Sequence, residues 1–184
     1  MKPETKKNIL VSLWILLAVV FVSAAGWYIY YLSQYKTYQD SQLKFSIKYP
    51  SQWQMKDHYL GTAVTFIRPR QSALEVFQPN VNMTVQEVPD QIATLESYSE
   101  VALKQMKAVF QKKINILEDK DFEFGKRKGH RLMIEAPEPQ NLKAIFIWTI
   151  KGSNAYIFTF VSRIDQYAEV SKNVNEMISS FTFL

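Results

Sequence analysis

The sequence predicts an α+β domain built on an antiparallel sheet, carried behind one apolar N-terminal helix. Three observations predict it. About seven short stretches read as strands, the clearest of them alternating apolar and polar residues with a period of two, the mark of a half-buried strand. The last four of these are joined by connections of hairpin length, which makes an antiparallel meander and not a series of βαβ units. Two further stretches, one central and one closing the chain, repeat their apolar residues at helical spacing.

The N-terminal helix comes first. From Asn8 to Tyr35 there is no charged side chain. At about 1.5 Å per residue, Ile9–Leu32 makes a helix of roughly 36 Å, longer than a hydrocarbon core of about 30 Å. Trp27, Tyr28, Tyr30 and Tyr31 stand at its outer end, where rings with one wet edge suit the headgroup level. Lys2, Lys6 and Lys7 precede the helix against Glu4 alone. Basic flanks stay cytoplasmic, so residues 1–8 are expected inside and the domain outside. The Lys-rich start and Ser23-Ala24-Ala25 also resemble a cleavable export signal. The apolar run continues past them to Leu32, which favours a retained single-pass anchor over residues 9–32. Residues 33–42 read as a polar linker, roughly 33 Å when fully extended, and residues 43–184 as the domain.

Within the domain, Leu43, Phe45, Ile47 and Tyr49 alternate with lysine and serine, and Pro50 stops the strand. Ala63–Ile67 reads as a second strand and Leu74–Phe77 as a short edge strand. Val81, Met83 and Val85 mark another, which Pro89 ends. Ser97 and Glu100 fit a capping box for the central helix, whose inner stripe is Tyr98, Ala102, Leu103, Met106, Val109 and Phe110. Ile114–Phe124, His130–Ala136, Leu142–Ile150 and Ala155–Ser162 are the meander, joined through Gly125–Gly129, Pro137–Asn141 and Lys151–Asn154. Asp165 is placed to cap the closing helix, striped by Tyr167, Val170, Val174, Met177 and Ile178.

Composition narrows the function classes. The chain has no cysteine, which excludes a disulfide framework, thiol catalysis and a lipid-bearing cysteine. Of the net charge of +5 the domain carries +3, from 19 Lys and Arg against 16 Asp and Glu spread along it, which does not call for nucleic acid. Five glycines form no phosphate-cradling loop, and no nucleophile-elbow motif occurs. The sequence therefore carries no recognisable catalytic or cofactor-binding motif.

The order of elements and a set of short marks resemble the PsbP family. These marks are Phe45-Ser46-Ile47-Lys48-Tyr49-Pro50-Ser51-Gln52-Trp53, Gly129 opening a strand, Tyr156–Phe160, and the closing helix running into Ser179-Ser180-Phe181. The resemblance covers about residues 39–184. It implies an α/β/α sandwich of six to seven antiparallel strands flanked by helices, and a non-enzymatic protein. Plant and cyanobacterial members dock on the lumenal side of photosystem II and help retain calcium and chloride. The same fold includes a nuclear Ran-binding protein and bacterial DcrB-like proteins. An intramembrane anchor in place of a transit peptide resembles the PsbP-related proteins of non-photosynthetic bacteria.

Four groups of residues are candidates for chemistry. Lys126, Arg127, Lys128 and Arg131 cluster with His130 around one turn; such a patch suits an anionic surface, and although the adjoining acidic row favours a solvated turn, it is the best interaction candidate. Asp119, Asp121 and Glu123 alternate on a strand, so their carboxylates point one way while Phe122 and Phe124 face the core. Oxygen ligands of this kind can hold Ca²⁺, but the EF-hand spacing fails and a solvated strand face is favoured. Tyr49-Pro50-x-x-Trp53 reads as a strand-end plug more than as a recognition surface. His58 and His130 are the only histidines, so a Ser–His–Asp hydrolase would need one of them as its base. The expected function is a membrane-anchored, extracytoplasmic, non-catalytic accessory domain with a protein partner at the outer membrane face. The alternatives are an envelope hydrolase, and a carrier of a lipid or apolar peptide, which requires an apolar cavity between sheet and helix.

Overall fold

In a computed structural model of the chain, the described residues are 14, 16, 17, 19–28, 30, 33–110, 114–137 and 141–184. They divide into two units, Met1–Lys36 and Thr37–Leu184. In the first unit residues 19–28 are helical, with nearly all side chains exposed. Among the described residues no helix is long and apolar enough to cross a membrane. The expected tail 1–8 and part of the expected span 9–32 lie outside the described residues.

The second unit is built on a seven-stranded antiparallel sheet. Its strands are β3 (Gln54–Asp57), β4 (Val64–Ile67), β5 (Asn80–Glu87), β6 (Asn115–Phe124), β7 (Arg127–Ala136), β8 (Leu142–Lys151) and β9 (Asn154–Arg163), in the order β3-β4-β5-β9-β8-β7-β6. The four-strand meander of the sequence reading is present as β6 to β9. β1 (Tyr35–Asp40) and β2 (Phe45–Pro50) belong to a separate three-stranded sheet with β10 (Thr182–Phe183). Phe45, Ile47 and Tyr49 of β2 turn their shared face inward and are buried, so the small sheet lies over the large one.

Helix α1 (Leu95–Phe110) covers one face of the large sheet and α2 (Tyr167–Ser180) lies on the other, beside β2. Two cores result. Phe45, Phe66, Met83, Phe124, Ile147, Phe158, Phe160 and Phe181 join the buried stripe of α2, Val170, Val174, Met177 and Ile178. Under α1 are Tyr98, Leu132, Ile134, Ala144 and Trp148. Burying each large apolar side chain contributes about 1.5–3 kcal/mol, which supports the unit without disulfides. Tyr49 stacks on Phe66 at 4.6 Å, and the Trp53 N–H donates to the Pro50 carbonyl at 2.9 Å. That pair is the strand-end plug the sequence favoured.

The structure differs from the sequence reading at five points. Part of the stretch read as a linker is β1, because the Tyr38 ring packs beside Phe45 and Phe66 and its hydroxyl donates to Asp57 Oδ1 at 2.7 Å. Leu74–Phe77 is no strand; Leu74 and Val76 are exposed in a loop. The cap of α1 is Thr94, whose Oγ1 accepts from the Ser97 N–H at 3.1 Å, so Ser97 lies inside the first turn. Asp165 pairs with Arg163 at 3.0 Å in a 3-10 turn, and the cap of α2 is Gln166. The β6–β7 connection is two residues long, Gly125 and Lys126, both left-handed at φ 59° and 62°. Positive φ at both central positions is the twist-matched hairpin turn, and it draws Arg127, Lys128 and Gly129 into β7.

Candidate functional site

The short β6–β7 turn determines what becomes of the basic cluster. Side chains of a strand alternate between faces. Lys128 and His130 therefore share one face with Asp119, Asp121 and Glu123, while Arg127 and Arg131 share the other with Glu118 and Phe122. Lys126, Arg127 and Lys128 are exposed at the end of the hairpin. Arg131 does not join them. It is only 9% exposed, donates from Nε to Glu118 Oε2 at 2.8 Å and lies 5.5 Å from the Phe122 ring. Its place in the expected patch is corrected to a structural one.

The three remaining basic residues border a groove of about 540 Å³, completed by Ala93, Leu95, Ile150 and Gly152. Arg127 Nε donates to the Ile150 carbonyl at 3.3 Å, which holds that guanidinium along the groove wall. A second hollow of about 290 Å³ adjoins it, lined by Leu95, Glu96, Asp121, Phe122, Glu123, Lys128 and Gly129. Lys128 borders both. Leu95, in the first turn of α1, lines both hollows, which adds the positive end of a helix dipole to the basic groove. The site thus has a cationic half and a half carrying carboxylates, divided by one lysine.

The acidic row is aligned as expected, on the face away from Phe124. Asp119 is engaged by His130, whose Nε2 is 2.7 Å from its Oδ1, and the imidazole stacks on Trp148 at 4.8 Å. Burial pulls the Glu118 carboxyl upward, but the hydrogen bond and charge of Arg131, with Lys120, outweigh it and hold it below 4.5. Among the described residues no three acidic or imidazole side chains converge to hold a metal ion. Residues two apart on a strand are roughly 6.6–6.8 Å apart, too far for a row of three to close around one cation.

The two histidines lie in different parts of the fold. His58 lies in the β3–β4 turn, where its N–H donates to the Ala63 carbonyl at 3.0 Å. Among the described residues neither histidine is hydrogen-bonded to a serine; Ser99 Oγ accepts from Trp148 Nε1 at 2.8 Å. The space between α1 and the sheet, which a carrier would need open, is occupied by Tyr98, Leu132, Ile134 and Trp148.

Two arrangements had no sequence signal. A polar run crosses the open part of the sheet, from Thr65 Oγ1 to Asn82 Oδ1 at 2.7 Å and from Asn82 Nδ2 to Asn80 Oδ1 at 3.1 Å. It borders a hollow of about 420 Å³ with Tyr59 and Leu60. The other is the buried Arg68, which pairs with Glu75 and, at 2.7 Å, with Glu169 of α2. Glu169 lies 101 residues further along the chain, too far for local spacing to suggest it.

The PsbP family model matches residues 33–183. No curated protein sequence matches the chain. Among solved structures, the chain is similar to cyanobacterial PsbP from Synechocystis, with TM-score 0.60 and 15% identity over 83% of this chain and 94% of that one. It is similar to LpqN of Mycobacterium tuberculosis, a protein involved in cell envelope biogenesis, with TM-score 0.56 and 8% identity over 81% and 90%. A third is the Saccharomyces cerevisiae Ran-binding protein Mog1p, with TM-score 0.53 and 10% identity over 81% and 95%. At such identities the likeness concerns the fold, and the seven-stranded sheet between α1 and the α2 layer is that fold. The match over residues 33–183 carries the assignment: the chain belongs to the PsbP family.

Proposed function

We propose that this chain is a membrane-tethered, extracytoplasmic, non-catalytic binding domain that supports a membrane or envelope complex. The observation that carries the reading is the open groove bordered by exposed Lys126, Arg127 and Lys128. Three cations at one hairpin end, next to the first turn of a helix, suit an acidic segment of a protein partner. The uncharged run Asn8–Tyr35 behind a lysine-rich tail supports the tether and its orientation. One similar structure is a Ran-binding protein and another is involved in envelope biogenesis, so the fold serves unlike tasks and the site has to supply the specificity.

The test is Lys126→Glu, Arg127→Glu and Lys128→Glu combined in the full chain, expressed in its native membrane and cross-linked in place. The expected result is loss of the cross-linked partner while thermal unfolding of the domain is unchanged. Retention of the same partner at wild-type yield would overturn the groove as the docking site.

A further inference from the structure

The loop from Pro69 to Phe77 inverts the usual placement of side chains. Leu74 and Val76 are 90% and 93% exposed, while the side chain of Glu75 between them is only 9% exposed. An isolated exposed leucine needs no explanation, but a buried charge flanked by exposed aliphatics does. The inversion is held in place. Glu75 is paired with Arg68, accepts the Gln71 N–H at 2.6 Å, and accepts from Gln166 Nε2 at 2.6 Å. Gln78 Nε2 donates to the Arg68 carbonyl at 2.8 Å, and Gln166 Nε2 also reaches the Phe77 carbonyl at 3.3 Å. The loop is thus bonded to Arg68, just after β4, and to Gln166, the cap of α2, with its two aliphatic side chains turned outward.

Its position in the fold is equally definite. β1 and β2 are joined through Ser41–Lys44, so Thr37, the first residue of this unit, lies toward the Pro50 end of β2. The turn after Pro50 leads into Gln54, which pairs with Ile67, and Ile67 pairs with Asn80. The 68–79 loop therefore leaves the sheet at the end where the chain enters this unit. Glu75 is neutralised by Arg68, which leaves Arg70 as the one exposed charge between Pro69 and Phe77.

We propose that the Leu74–Val76 loop is a second membrane contact, inserting its two aliphatic side chains into the interfacial layer of an anionic bilayer while Arg70 meets the headgroups. Shallow apolar insertion beside a basic residue is how interfacial segments bind lipid. Two aliphatic side chains fall far short of the roughly 800 Å² per partner of a standard protein interface, which favours lipid over a protein. The proposal rests on the tethering reading. The contact would restrict how the unit stands above the bilayer and so which way the basic groove faces.

The absence of cysteine permits single-site labelling of the full chain. Leu74→Cys, Val76→Cys, Leu60→Cys and Phe21→Cys are each nitroxide-labelled and reconstituted in vesicles of phosphatidylcholine and phosphatidylglycerol. Accessibility to oxygen and to a nickel chelate is then compared. Leu60, 83% exposed, lies in the β3–β4 turn at the other end of the sheet and is the aqueous reference. The expected result is a several-fold higher oxygen-to-nickel ratio at 74 and 76 than at 60, lost in vesicles of phosphatidylcholine alone for an Arg70-dependent contact. Labels at 74 and 76 as aqueous as the one at 60, with 21 in lipid, overturn the loop contact and leave the tether standing. An aqueous label at 21 overturns the tether itself and the loop contact with it.

Discussion

Removing the Arg68 side chain as Arg68→Ala leaves Glu75 buried without its counter-charge. Breaking a buried ion pair from one side typically costs about 3–5 kcal/mol. The local geometry argues for the lower part of that range, because Gln166 Nε2 and the Gln71 N–H still donate to the carboxylate. Glu75→Gln should cost less, about 1–2 kcal/mol, since an amide oxygen still accepts and Arg68 keeps Glu169. The double variant should cost distinctly less than the two single costs added together, because Arg68→Ala then strands no charge. Urea unfolding of the full chain in detergent, followed through the buried Trp53 and Trp148, measures all four corners of the cycle. Arg68→Ala costing under about 1 kcal/mol, or strictly additive costs, would refute the account of a desolvated pair holding the loop.

Two further predictions concern the β6–β7 hairpin. A Cβ at Gly129 would lie 2.7 Å from the Trp148 carbonyl oxygen and 3.2 Å from that of Phe122. Gly129→Ala should therefore cost about 1–3 kcal/mol by overpacking; a urea midpoint equal to wild type would contradict the close approach. The Glu118 carboxyl is held below 4.5 in the folded protein, so the folded state binds fewer protons than the unfolded chain as that value is approached. Its stabilising contribution is present above 4.5 and is lost as the pH falls through the folded value. Stability measured from pH 7 downward should fall less steeply in Arg131→Gln than in wild type, and identical slopes would refute the pairing.

Much of the fold was legible because strand and helix periods are local. The alternation of Phe45, Ile47 and Tyr49, and of Val81 and Met83, shows directly which side chains enter the core. The stripe of α2 was likewise readable residue by residue. The linker reading failed at Tyr35–Asp40, whose polar composition hides a strand that pairs with β2 and is held by the Tyr38 ring against Phe66 and by its hydroxyl to Asp57. The capping box failed because Thr94 precedes Ser97 by one turn and both can cap; only the backbone path chooses. The basic patch was partly legible. Lys126, Arg127 and Lys128 could be found by their charge, but the assignment of Arg131 depended on whether the turn held two residues or five.

The classes of contact available were written in local patterns: an uncharged N-terminal run, alternating strands, two striped helices and a cationic turn. Periodicity and charge are properties of neighbours along the chain, and they survive without any knowledge of packing. Tertiary structure alone decided which charges are buried and which apolar groups are not. Arg68 meets Glu169 at a sequence separation of 101, and that pairing, with Glu75, turns Leu74 and Val76 outward. A side chain's exposure depends on what folds over it, and no local pattern in residues 69–77 could have shown that the charge goes in while the aliphatics stay out.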